Sequence, residues 1–153
     1  YGRILSVNRK NDIDFSDFKL IQRIQQFWID EFKSNATTPV LITDTEALIT
    51  ALYADLYLGV NKKHKELYEY AEKQHIDKYI VLAPNVPWVQ DGFRVQDNDM
   101  KRYYFFYNIL EYLRKWKKDY IVIDNSNFVI RTALVSNLID QLSSSKSQTP
   151  TSI

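Results

Sequence analysis

Apolar residues keep two rhythms along this chain, and the switch between them predicts its elements. From about Phe15 to Ser34, Phe15, Phe18, Ile21, Ile24, Trp28, Ile29 and Phe32 recur at steps of three and four, laying one apolar stripe along a helix. Asp14 stands where a side chain can accept from the first free backbone N–H groups, and the small polar residues up to Pro39 end the helix. Val40-Leu41-Ile42-Thr43 is short, β-branched and continuous, the pattern of a strand buried on both faces. A helix through Leu48, Leu52, Tyr53 and Leu56 follows, with Gly59 as its stop, and a more polar helix spans about Lys62 to Gln74.

The second half repeats the alternation. Tyr79-Ile80-Val81-Leu82-Ala83 reads as a buried strand. A helix from about Met100 to Lys117, capped by Asp97 or Asp99, carries Tyr103, Tyr107, Leu110, Leu113 and Trp116. Tyr120-Ile121-Val122-Ile123 is a third strand, and a helix from about Asn127 to Leu142 places Val129, Ala133, Leu134, Leu138 and Leu142 near one face. Arg3-Ile4-Leu5-Ser6-Val7 is a strand or a loop entering the first helix. Residues 143–153, rich in Ser, Thr and Gln, read as a disordered tail.

Three alternations of strand and helix predict an α/β domain over residues 1–142, with a mainly parallel sheet and helices on both faces. Ligands of such sheets bind outside the carboxyl ends of the strands. Each predicted strand ends in polar residues: Asp44, then the segment Val86-Pro87-Trp88-Val89-Gln90-Asp91-Gly92-Phe93-Arg94, then Asp124-Asn125. Three segments therefore point at one rim.

Composition mainly removes alternatives. Twenty Lys and Arg against 19 Asp and Glu leave a net charge of +1, which argues against nucleic acid as the main partner. The absence of cysteine removes disulfides, thiolate catalysis and cysteine zinc sites, and fits a cytoplasmic setting. No apolar run reaches the roughly 18 residues of a membrane span, and Tyr1-Gly2-Arg3 shows no basic-then-apolar signal-peptide pattern. His64 and His75 stand apart in polar surroundings and read as surface residues. No serine has the nucleophile-elbow pattern, and none of the three glycines belongs to a dinucleotide or phosphate-loop motif.

The remaining candidates each have a plain reading and a chemical one. Asp44 either caps the next helix, a role Thr43 or Thr45 can share, or offers carboxylate oxygen to Mg²⁺ beside a nucleotide's phosphates. Arg94 and Arg102 either face solvent or grip phosphate, for which the guanidinium fork is suited; Lys101 adds charge at a helix start, where the macrodipole disfavours it. Asp91-Gly92 is a turn or part of a binding loop, and Trp88 is core or a stacking platform.

Taken in order, Leu41-Ile42-Thr43-Asp44-Thr45-Glu46, the Pro-Trp-x-x-Asp-Gly-x-Arg segment from Pro87 to Arg94, and Asp119-Tyr120-Ile121-Val122-Ile123 resemble the ribosylnicotinamide kinase domain of the bacterial NadR family, a P-loop kinase group among AAA-type ATPases. The resemblance runs from Tyr1 to about Leu142. It implies transfer of the γ-phosphoryl group of ATP, with Mg²⁺, to the 5′-hydroxyl of nicotinamide riboside or a related nucleoside. By it, Asp44 is the catalytic and metal-binding acid, and Arg94 and Arg102 are lid arginines. Arg3, Trp88 and Asp91 lie on the substrate side, and Asn125 and Arg131 lie near the adenine. It also implies that the family's first strand and Gly-Lys-Ser/Thr loop would precede Tyr1, so the sheet is expected to have an unfilled position and exposed apolar surface. A missing N-terminal segment or domain, or a homo-oligomer, would complete it. Another reading is a non-catalytic nucleotide- or protein-binding module derived from such a kinase.

Overall fold

The computed structural model describes residues 13–87 and 99–147. The chain divides into two compact units, Tyr1–His75 and Ile76–Ile153.

The described part of the first unit is helical. Helix α1 (Phe15–Ser34) has the predicted bounds, and Asp14 caps it. The Asp14 Oδ1 accepts from the amides of Ser16 at 2.7 Å and Asp17 at 3.1 Å, while the Asp14 amide donates to Asp17 Oδ2 at 2.9 Å. This reciprocal capping box satisfies amides that have no partner inside the helix. Helix α2 (Ala47–Leu58) follows, then a 3₁₀ turn at Lys62–His64, which leads directly into α3 (Lys65–Lys73). Phe18 and Ile21 of α1 meet Ala51 and Ala54 of α2 and Leu67 of α3 in the core. The two alanines, fully buried, let α1 and α2 approach closely.

Polar side chains also bind these helices together. Gln22, only 2% exposed, donates from Nε2 to the carbonyls of Ala47 at 2.8 Å and Leu67 at 3.0 Å, joining all three. Gln74 accepts from the Ala47 amide at 3.2 Å and donates to Gln26 at 2.9 Å. His64, expected at the surface, is 3% exposed: its Nδ1 lies 2.5 Å from Asp55 Oδ1 and its ring stacks on Phe15 at 5.5 Å. Tyr68 donates to the other Asp55 oxygen at 2.5 Å. A carboxylate only accepts, so Nδ1 carries the shared proton. His75 is exposed, as expected.

Two further expectations in this unit need correction. The apolar stripe of α1 is buried at Phe18, Ile21 and Ile29, but Trp28 is 53% and Phe32 56% exposed. Val40–Thr43 forms no strand, and Ile42 is 65% exposed. A β-branched apolar run has the propensity for a strand, but a strand exists only when its backbone finds a partner.

Helix α2 ends at Gly59, with φ 75° and ψ 153°, a region essentially restricted to glycine. An added Cβ would meet no atom within 4 Å, so the Gly59→Ala penalty is backbone strain alone. It should lower stability by about 1–3 kcal/mol in urea unfolding; an unchanged midpoint would show that the helix end shifts to relieve the strain.

The second unit is a βαβ arrangement. Strand β1 (Tyr79–Leu82) pairs in parallel with β2 (Tyr120–Ile123), Tyr79 opposite Tyr120 and Leu82 opposite Ile123. The ladder continues at both ends, where the Tyr79 amide donates to Asp119 at 2.9 Å and the Ala83 amide to Ile123 at 3.1 Å. Helix α4 (Asp99–Lys115) lies between the strands in sequence, as parallel pairing requires of a crossover. Its Phe105, Leu110 and Leu113 are buried, while Tyr103 and Tyr107, expected on its apolar face, are 38% and 61% exposed. Lys117, at φ 54°, ends the helix, with the Lys118 amide donating back to Leu113 at 2.9 Å.

The last helix, α5 (Phe128–Ser147), runs five residues into the stretch expected to be tail. Asn127 caps it, accepting from the amides of Val129 at 2.9 Å and Ile130 at 3.2 Å. Its expected apolar face is not buried: Val129 is 75% and Leu134 44% exposed, as is Phe128 at 72%. Phe128, Val129, Ile130 and Leu134 point around the helix rather than along one stripe, so a single neighbour cannot cover them. Leu82 and Ile121 of the two strands are also partly exposed. The described residues thus form a mixed α/β structure with a small parallel sheet.

Candidate functional site

Arg3, Trp88, Asp91 and Arg94 lie outside the described residues, as do Gly92 and Asp97. The other predicted residues fall in two groups, one in each unit.

In the first unit, Asp44 precedes α2 but does not cap it. The cap is Glu46, 7% exposed, whose carboxylate accepts from the amides of Leu48 at 2.7 Å and Ile49 at 3.2 Å. Glutamate is not a favoured N-cap, so nothing in the sequence marked it. Asp44 is exposed and has no hydrogen-bond or ion-pair partner among the described residues. Its carboxylate is therefore available to a ligand. Among the described residues no group of three His, Asp or Glu side chains could hold a metal.

Thr45, between Asp44 and the cap, has φ 66°. A β-branched residue is strained there, and such strain concentrates at functional turns. Thr45→Asn should raise stability by about 1 kcal/mol, because asparagine tolerates the left-handed region; chemical denaturation reads this directly, and a destabilised variant would mean the threonine hydroxyl or methyl outweighs the strain.

In the second unit, a polar rim lies at the carboxyl ends of β1 and β2. Arg131, 8% exposed, sends Nη2 to the Ala83 carbonyl at 2.8 Å and to Asn85 Oδ1 at 2.5 Å, and Nε to the Asn125 carbonyl at 3.1 Å. Its guanidinium thus ties the chain after β1 to the chain after β2. Asn85 continues the network, donating from Nδ2 to Asp124 Oδ1 at 2.5 Å. The Asn125 side chain accepts from the Asn127 amide at 2.8 Å, in a turn leading into α5. The structure brings Asn125 and Arg131 together through the contact at the Asn125 carbonyl, in which they hold the two loops. It adds Asn85, which only its place after a strand could have suggested.

Arg102 behaves similarly. Nη1 pairs with Asp99 at 2.9 Å, and Nη2 donates to the Val86 carbonyl at 2.9 Å. Its side chain is 12% exposed. It anchors the segment that follows β1.

An AAA-domain family model, P-loop NTPase-like in type, matches residues 4–131. Domains of this type generally bind nucleotide with Mg²⁺. No solved structure matches the chain. Among the described residues, no helix is long and apolar enough to cross a membrane. The match spans well over half of the chain and takes in Asp44, Arg102, Asn125 and Arg131 alike: the chain belongs to the AAA-domain family, with a P-loop NTPase-like, nucleotide-binding type of domain.

Proposed function

We propose that this domain serves an ATP-dependent kinase acting on a small nucleoside, with nicotinamide riboside as the leading acceptor. The observation that carries the catalytic reading is the Asp44 carboxylate, exposed and without a partner among the described residues, just ahead of α2. The acceptor rests on the resemblance of the Pro87–Arg94 segment to ribosylnicotinamide kinases.

Phosphoryl transfer asks a protein for positioning and charge neutralisation more than for covalent chemistry. Asp44 would hold Mg²⁺, which supplies neutralisation of the developing phosphate charge. Its remaining oxygen would orient the acceptor hydroxyl. Arg94, by the resemblance, would approach the transferring group, and Trp88 and Asp91 would face the nucleoside. Arg102, committed to Val86 and Asp99, would act by holding the segment that leads to them.

Labelled ATP offered to the intact protein with a panel of nucleosides tests this. Preferred turnover of nicotinamide riboside supports the full reading. Turnover of other nucleosides alone would keep the kinase and discard the acceptor. Nucleotide binding with no turnover of any acceptor would favour a non-catalytic binding module.

A further inference from the structure

At the carboxyl ends of β1 and β2, Asp124 is exposed but not idle. One oxygen accepts from Asn85 Nδ2 at 2.5 Å, and the other has no partner among the described residues. The Asn85 amide has only one workable orientation. Arginine only donates, so Oδ1 must face Arg131, and the carboxylate only accepts, so Nδ2 must face Asp124. Arg131 is in turn buried and fixed by two backbone carbonyls, those of Ala83 and Asn125. A buried cation thus sets an amide, and the amide sets a carboxylate. Helix capping does not account for Asp124, because Asn127 caps α5 and the Asn125 side chain makes the preceding turn. A flexible surface acid needs no such support, whereas a ligand-binding group benefits from having its orientation fixed before the ligand arrives.

We propose that Asp124 is a ligand-binding residue, held by Asn85 as a positioning residue, whose free oxygen accepts an N–H or O–H donor from the bound nucleotide. Its location at the strand ends is where ligands of parallel sheets bind. An acceptor-only carboxylate selects ligands that carry donors there, either the exocyclic amine of the base or the ribose hydroxyls. This rests on the nucleotide-binding reading of the domain.

Calorimetric titration of the intact protein with Mg²⁺ and nucleoside triphosphates tests it. Asp124→Asn should weaken ATP binding about tenfold or more, the usual worth of a hydrogen bond to a charged group. If the partner is the amine, Asp124→Asn and the parent protein bind purine riboside triphosphate equally, while 2′,3′-dideoxy-ATP still discriminates between them. If the partner is the ribose, the two analogues exchange behaviour. Asn85→Ala should weaken ATP binding as well, yet the double variant should be no weaker than Asp124→Asn alone, because the amide acts through the carboxylate. A merely structural role for Asn85 would make the losses add. ATP affinity unchanged in Asp124→Asn overturns the proposal while leaving nucleotide binding standing. A parent protein that binds none of these triphosphates overturns both.

Discussion

Asp44→Ala should reduce phosphoryl transfer by roughly a hundredfold or more while leaving the folded protein as stable as before. The catalytic half follows from charge. A carboxylate that positions a metal and an acceptor hydroxyl acts where charge develops, and losing such a preorganised electrostatic group typically costs about two to three orders of magnitude. The stability half follows from the structure. Asp44 is exposed, accepts no hydrogen bond among the described residues, and leaves capping of α2 to Glu46. Surface changes without partners stay within about 0.5 kcal/mol. Glu46→Ala, two positions on, supplies the contrast: it removes the bonds to the Leu48 and Ile49 amides and should cost about 1 kcal/mol. Steady-state kinetics and thermal unfolding on both variants separate the roles. Loss of stability in Asp44→Ala equal to that in Glu46→Ala would make Asp44 a second structural acid and remove the catalytic assignment.

Gln22→Ala should be the most destabilising of the substitutions considered, at about 2–4 kcal/mol. Gln22 is among the largest fully buried side chains, and its amide bridges the carbonyls of Ala47 and Leu67. Two hydrogen bonds contribute about 1 kcal/mol each, and the cavity left in a close-packed helical core adds to that. Gln22→Leu fills most of the volume but makes no bridge, so it should recover only the cavity part. Urea midpoints of the two variants divide packing from hydrogen bonding. If Gln22→Leu matched the parent, the bridge would contribute nothing net.

Much of this architecture was legible where local signals and tertiary packing agree. Helix α1 has the bounds that its stripe and Asp14 indicated. The β1 and β2 runs are strands because each supplies the other's backbone partners. Val40–Thr43 looked equally strand-like, but pairing is a property of two segments, and composition reports only one of them. His64 was obscured by Lys62, Lys63 and Lys65, which suggest a solvated face; the 3₁₀ turn aims the ring inward at Phe15 and Asp55. For α5, the apolar count was right but its angular spread was not.

The candidate site was half legible for a similar reason. The polar residues after β1 and β2 sit at strand ends, as the alternating pattern indicates, whereas Asp44, expected at a strand end as well, follows no strand among the described residues. What a given arginine does there depends on acceptors supplied by distant backbone. Arg102 read as a phosphate-gripping group in sequence, and Arg131 was placed near the adenine only by the resemblance, yet their guanidinium groups bind the carbonyls of Val86, Ala83 and Asn125. Asn85, with no motif of its own, became visible only through the two partners that fix its amide.

The most direct test of the proposal that Asp44 serves the metal in this nucleotide-binding AAA domain is calorimetric titration of the intact protein with ATP, with and without Mg²⁺. Saturable one-to-one binding is expected, tighter with Mg²⁺ than without, and Asp44→Ala should remove most of that Mg²⁺ dependence. Binding equally tight with and without the metal, or the same metal dependence in Asp44→Ala, would contradict the role given to Asp44. The absence of any ATP binding would contradict the nucleotide-binding function itself.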